Sequence, residues 1–250
     1  MGTLSCSLLL ALALLSPRTA AAKKCDLQGL WRNELGSNMT LSALDATGTF
    51  SGSYHTAVAA TNKQILLSPL QGTQQHPNGK GHPTFGFTVQ WQFAAEIPGE
   101  EKASAKAAKG TNTKWWPGRK QKRPTRNGKC DLTGWWENDL GSRMQVSAVD
   151  SQGNFTGEYH TAVSSAQKPI QPSPLVGSQH LDEDGQCTFG FTVNWKKFSD
   201  STAVFVGQCF AGDDGDEVLQ TSWLLREKVD SLPDDWRATR TGRNVFTRIH

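Results

Sequence analysis

Thr188-Phe189-Gly190-Phe191-Thr192-Val193 is a run of β-branched and aromatic residues, and nearly the same words stand earlier in the chain as Thr84-Phe85-Gly86-Phe87-Thr88-Val89. Such a run reads as a β-strand. Its recurrence makes the chain a duplication, and the match extends outward on both copies. Ser173-Pro174-Leu175 repeats Ser68-Pro69-Leu70, and Tyr159-His160-Thr161-Ala162-Val163 repeats Tyr54-His55-Thr56-Ala57-Val58. Further upstream, Asn138, Leu140-Gly141-Ser142 and Met144 repeat Asn33, Leu35-Gly36-Ser37 and Met39, and Cys130-Asp131-Leu132 repeats Cys25-Asp26-Leu27.

The second copy runs on through strand-like segments at 204–210, 218–225 and 239–249, to which the first copy has no counterpart. Eight runs, separated by Gly, Asn, Asp and Pro turns, predict an all-β domain over 129–250: an eight-stranded antiparallel up-and-down barrel. Eight strands enclose room for one small ligand. Helical periodicity is confined to the neighbourhood of residues 230–236. The first copy, 23–93, holds only five of the strands, and five strands cannot close, so it keeps two unpaired edges. Between the copies, 94–128 turns Glu-, Lys- and Ala-rich and then basic, with Pro124 and Gly128 as breakers, and reads as a solvated linker or the relic of a lost exon.

Over the 250 residues, 36% hydrophobic and 20% charged is an ordinary globular composition. The net charge of +3 hides an uneven distribution: residues 102–129 carry ten Lys/Arg and no acid, whereas 130–250 carry ten basic and seventeen acidic residues. No folded part reads as a nucleic-acid binder. The apolar run at 8–15 is too short to span a bilayer and ends in Ala20-Ala21-Ala22, which reads as a cleavable secretory signal over 1–22, with a membrane anchor as the alternative. Removal of the signal takes Cys6 with it and leaves Cys25, Cys130, Cys187 and Cys209 in an oxidising compartment, at spacings that match no zinc motif. Asn38-Met39-Thr40 and Asn154-Phe155-Thr156 are N-glycosylation sequons. The histidines show no metal-ligand spacing, and no nucleophile elbow or phosphate loop is present, so the chain is expected to be neither an enzyme nor a holder of metal or cofactor.

The second copy resembles the avidin and streptavidin family of biotin-binding proteins through Gly134-x-Trp136-x-Asn138-x-Leu140-Gly141-Ser142, Phe155-Thr156-Gly157-x-Tyr159-x-Thr161-Ala162-Val163, Thr188-Phe189-Gly190-Phe191-Thr192-Val193-Asn194-Trp195, Gly207-Gln208-Cys209-Phe210, Trp223-Leu224-Leu225-Arg226 and Asp234-Asp235-Trp236. The first copy resembles only the first five strands of that barrel. The resemblance implies a biotin pocket. Asn138, Ser142 and Tyr159 would donate to the ureido oxygen, and Thr161 and Asn244 would accept from the urea N–H groups. Trp195, Phe198, Phe205, Trp223 and Leu225 would form the walls, and Trp236 would reach in from a neighbouring subunit. Ser164, Ser165, Ser199 and Ser201 would meet the tail carboxylate. Burying roughly 200 Å² of apolar ligand surface gives only about 5 kcal/mol, so the fixed polar groups must supply much of the affinity.

Two departures from the family point to weaker binding: Ala203 stands where a Thr touches the ring sulfur, and Ala166 where a loop position is usually Thr. The family's disulfide would join Cys130 and Cys209, worth roughly 4–5 kcal/mol in the chain-entropy model. Cys25, which has lost the corresponding partner, is left to pair with Cys187, to pair between chains or to stay free. A homo-oligomer, tetramer or dimer, is implied, although interface positions that are apolar in the family read Ser222, Thr241 and Arg243. Residues 23–93 keep Asn33, Ser37, Tyr54, Thr56, Trp91 and Phe93 but lack counterparts of Trp223, Trp236 and Asn244, so no binding is expected from them alone. The alternative is a lipocalin-like carrier of another small apolar ligand, and a ligand-free secreted scaffold is a third reading.

Overall fold

The computed structural model describes residues 25–59, 63–75, 82–94, 131–163, 169–180, 187–195, 199–211 and 217–249. The expected signal, residues 95–128 of the linker and Cys130 lie outside them. Five strands come from the first copy: β1 Gly29–Arg32, β2 Asn38–Leu41, β3 Thr49–His55, β4 Ser68–Gln74 and β5 Phe85–Val89. They pair in chain order into an open antiparallel sheet.

Eight strands come from the second copy: β6 Gly134–Asn138, β7 Arg143–Val146, β8 Asn154–His160, β9 Ser173–Gln179, β10 Thr188–Asn194, β11 Ser201–Ala211, β12 Glu217–Glu227 and β13 Thr239–Ile249. Each pairs antiparallel with the next, and β13 returns to β6 through Phe246 opposite Asn138, closing the barrel. The expected all-β architecture is therefore the observed one, an eight-stranded up-and-down barrel beside an incomplete five-strand copy. The helical signal near 230–236 is a short 3₁₀ turn, Leu232–Arg237.

Closure decides what the repeated residues experience. Inside the barrel, Trp136, Met144, Phe155, Tyr159, Phe189, Phe191, Val193, Phe205, Leu219 and Phe246 form one buried cluster. Phe191 stacks on Phe205 at 4.7 Å, and Phe205 on Tyr159 at 5.6 Å. The first copy builds only a small core of Leu27, Leu41, Phe50 and Leu70. Trp31, Phe85 and Trp91 are 44%, 45% and 44% exposed, whereas their counterparts Trp136, Phe189 and Trp195 are 0%, 5% and 8% exposed. The three missing strands are the difference, because they supply the far wall against which these aromatics pack.

Candidate functional site

In an up-and-down barrel the ends of β6, β8, β10 and β12 and the starts of β7, β9, β11 and β13 share one rim. Asn138, Ser142, Tyr159, Thr161, Trp195, Ser199, Ser201, Trp223 and Leu225 all come from that half of their strands or from the turns there, and Asn244, at the centre of β13, meets the β6–β7 turn through Asp139.

The β6–β7 turn fixes the first polar pair. Gly141 has φ +78°, a conformation that glycine adopts without strain, and the turn is tied by Gly141 N–H donating to the Asn138 carbonyl and Asn138 N–H to the Ser142 carbonyl at 2.9 and 2.8 Å. Asn138 Oδ1 is consumed by the backbone, accepting from Leu140 N–H at 3.0 Å and Ser142 N–H at 2.8 Å. Its Nδ2 is thereby committed as a donor and lies 3.4 Å from Tyr159 Oη. Ser142 Oγ accepts from Ala162 N–H at 2.9 Å, which ties the turn to the strand carrying Tyr159 and Thr161. Asn138, Ser142 and Tyr159 are all buried.

Burial pushes the Tyr159 hydroxyl up to about 12; its hydrogen bond with Ser142 opposes this, and the charge of Asp139 adds to it. The phenol therefore keeps its proton and stays a donor through neutral pH. Its ring is held edge-on to Trp195 at 5.4 Å and edge-on to Phe246 at 6.4 Å. Trp223 is partly buried against the core cluster, opposite Gly242 in the β12–β13 register. A Cβ at Gly242 would collide with the Trp223 ring, so the missing side chain is what leaves room for the indole.

Asn244 shows the opposite commitment to Asn138. Its Nδ2 donates to Asp139 Oδ1 at 3.0 Å, which turns Oδ1 away as an acceptor. Sequence reading did not single out Asp139, which follows Asn138 in the turn and carries no motif of its own. Thr161 Oγ1 donates to the Val163 carbonyl at 2.7 Å and so retains lone pairs to accept with. Ser199 and Ser201 hydroxyls face each other at 2.6 Å. Ala203 is buried. The rim thus presents donors from Asn138 and Tyr159 and acceptors from Thr161 and Asn244, backed by aromatic faces, an arrangement suited to a small neutral group that both accepts and donates.

Other expected residues are placed differently or lie outside the description. Ser164, Ser165, Ala166 and Phe198 are among the undescribed residues. Trp236, in the 3₁₀ turn, is 83% exposed and adds nothing to its own barrel. Cys209 is buried, and its N–H donates to the Cys187 carbonyl at 3.1 Å, while Cys25 is exposed and forms no disulfide. Asn38 is exposed at the start of β2; Asn154 is half-buried, with Nδ2 donating to Asp150 Oδ2 at 3.2 Å. Ser222, Thr241 and Arg243 lie exposed on the outer face of β12 and β13. Among the described residues no group of His, Cys, Asp and Glu is placed to hold a metal ion, and no helix is long and apolar enough to cross a membrane.

The polar half of the rim is repeated in the first copy. Asn33 Oδ1 accepts from Leu35 and Ser37 N–H, Asn33 Nδ2 lies 3.3 Å from Tyr54 Oη, and Ser37 Oγ accepts from Ala57 N–H. Tyr54 meets Trp91 edge-on at 5.5 Å. Local turn chemistry therefore survives without closure, but among the described residues the first copy is an open sheet with no further strands to complete the wall.

Comparison with known proteins points to one family. The family model described as the Avidin family covers residues 21–121 and 126–249. Avidin from Gallus gallus is 57% identical over 122 residues, 48% of this chain and 80% of avidin, and avidin-related protein 2 of the same species is 57% identical over 122 residues, 49% and 80% of the two chains. A solved structure described as a biotin binding protein from chicken is 55% identical, covers 49% of this chain and 98% of its own, and superposes with a TM-score of 0.47.

Proposed function

The chain belongs to the avidin family, and from that premise we propose that its barrel binds biotin, without catalysis, as a secreted sequestering protein. The observation that carries this reading is the opposed commitment of two amides: Asn138 is fixed as a donor by Leu140 and Ser142 N–H, and Asn244 as an acceptor by Asp139. A urea requires that combination. Its oxygen takes hydrogen bonds from Asn138, Ser142 and Tyr159, and its N–H groups give them to Thr161 and Asn244. Because these groups are held by the fold before the ligand arrives, little ordering is left for binding to cost.

Trp195, Phe198, Phe205, Trp223 and Leu225 would enclose the bicyclic ring, and Ser164, Ser165, Ser199 and Ser201 would take the carboxylate. Trp236 would close the site of a neighbouring subunit in a homo-oligomer. A Cys130–Cys209 disulfide and glycans on Asn38 and Asn154 belong to the same secreted reading. Biotin titration of the purified chain, followed by tryptophan fluorescence and thermal melting, tests the reading. One site per chain with a rise in melting temperature is expected, and no shift at saturating biotin would overturn it.

A further inference from the structure

The outer face of β10 is dry where a barrel standing in water would be wet. Phe189, Phe191 and Val193 point inward, so Gly190, Thr192 and Asn194 point outward, yet Thr192 and Asn194 are both 0% exposed. The cover is β4 and β5 of the first copy, which lie across β9, β10 and β11. Their contacts come in exchanged pairs. Asn194 Nδ2 donates to the Gln74 carbonyl at 3.0 Å, and Gln90 Nε2 donates to the Gln179 carbonyl at 3.0 Å. In the duplication Gln90 corresponds to Asn194 and Gln74 to Gln179, so this is one interaction written twice. A Cβ on Gly190 would stand 2.8 Å from Thr88 Cγ2, and one on Gly86 3.5 Å from Thr192 Cγ2, again with the partners exchanged.

Reciprocity of this kind defines an isologous two-fold contact, here between two unequal copies within one chain. The contact also has an asymmetric part. Thr84 and Thr202 hydroxyls meet at 2.8 Å, and Gln75 Nε2 donates to the Ser199 carbonyl at 2.6 Å; both touch the segment at β11 that the first copy lacks.

We propose that the first copy is an intrachain substitute for a second barrel, docked on the β9–β11 face so that this face is closed to self-association. The face is self-complementary by construction: where Asn194 now donates to the Gln74 carbonyl, it could donate to the Gln179 carbonyl of another copy, because every group involved is already present on the barrel. A tether within one chain acts at an effective concentration that a separate chain does not reach, so the docked half-copy wins the competition. Homo-oligomers of this chain are then built on its other faces.

Two variants of the full chain test the proposal by light-scattering mass and non-reducing electrophoresis. Thr84→Cys/Thr202→Cys is expected to form a disulfide within one chain and to keep the wild-type mass. Thr88→Arg puts a long cation against Gly190, frees the face and is expected to give a twofold higher mass. Cross-linking between chains in the first variant, or no cross-link, would overturn the proposal. So would a Thr88→Arg protein that is folded, by its melting transition, and keeps the wild-type mass. If Thr88→Arg fails to fold, the cysteine pair decides alone.

Discussion

Asn138 and Asn244 carry the same amide and are made to do opposite things by what consumes their other atom. Backbone N–H groups occupy Asn138 Oδ1, and Asp139 occupies Asn244 Nδ2. Asp139 is therefore a positioning residue, and Asp139→Ala lets the Asn244 amide rotate. Biotin affinity is expected to fall roughly 10-fold, about one hydrogen bond. Asn244→Ala should lose a similar amount and the double variant little more, as isothermal titration of the cycle would show. Tyr159 carries a second prediction. Its folded hydroxyl holds the proton up to about 12 against an ordinary value of 10.0. A group whose value is raised on folding stabilises fully below its unfolded value. That contribution is lost as pH climbs from about 10 to about 12. Denaturant midpoints of the wild type should decline across that window more steeply than those of Tyr159→Phe, and Tyr159→Phe should also bind biotin more weakly.

At the scale of elements, Gly242 and Trp223 are coupled across the β12–β13 ladder, since a side chain at 242 would enter the space of the indole. Gly242→Val is expected to cost about 1–3 kcal/mol by overpacking. It should also displace Trp223, so both the melting temperature and the biotin-induced fluorescence change should drop. Much of this level was legible in the sequence: the runs of β-branched and aromatic residues mark each barrel strand, and the break after Phe93 marks the open sheet. Two things were not. Asp139 acts through a residue 105 positions away, and no local pattern records that. The contact of β4 and β5 with β9–β11 includes Gly86, Thr88, Gly190, Thr192 and Asn194, small or polar residues that read as the wet side of a strand. Only the folded register shows that they cover one another.

For the whole molecule, Trp236 stands exposed and away from the rim of its own barrel, so any part it plays in binding has to be played on a neighbouring chain. At 83% exposure it adds almost nothing to the stability of a single chain. Under the biotin reading its worth appears only when an oligomer presents it to a neighbour's rim, and the expectation separates cleanly into two readouts. Trp236→Ala should leave the melting temperature of the ligand-free protein nearly unchanged, because an exposed side chain contributes little to folding. It should speed biotin release about 10-fold or more, because a large aromatic closing an apolar pocket is the kind of contact that sets residence time. If the tryptophan is delivered by a partner, wild-type release should quicken once the protein is diluted below the dissociation constant of its oligomer, and the Trp236→Ala variant should show little of that concentration dependence. Displacement of a fluorescent biotin conjugate, measured across a dilution series for both proteins, reads this directly. A wild-type release rate that is flat over a range in which light scattering shows the oligomer falling apart would mean that each barrel holds biotin alone and that Trp236 serves something else.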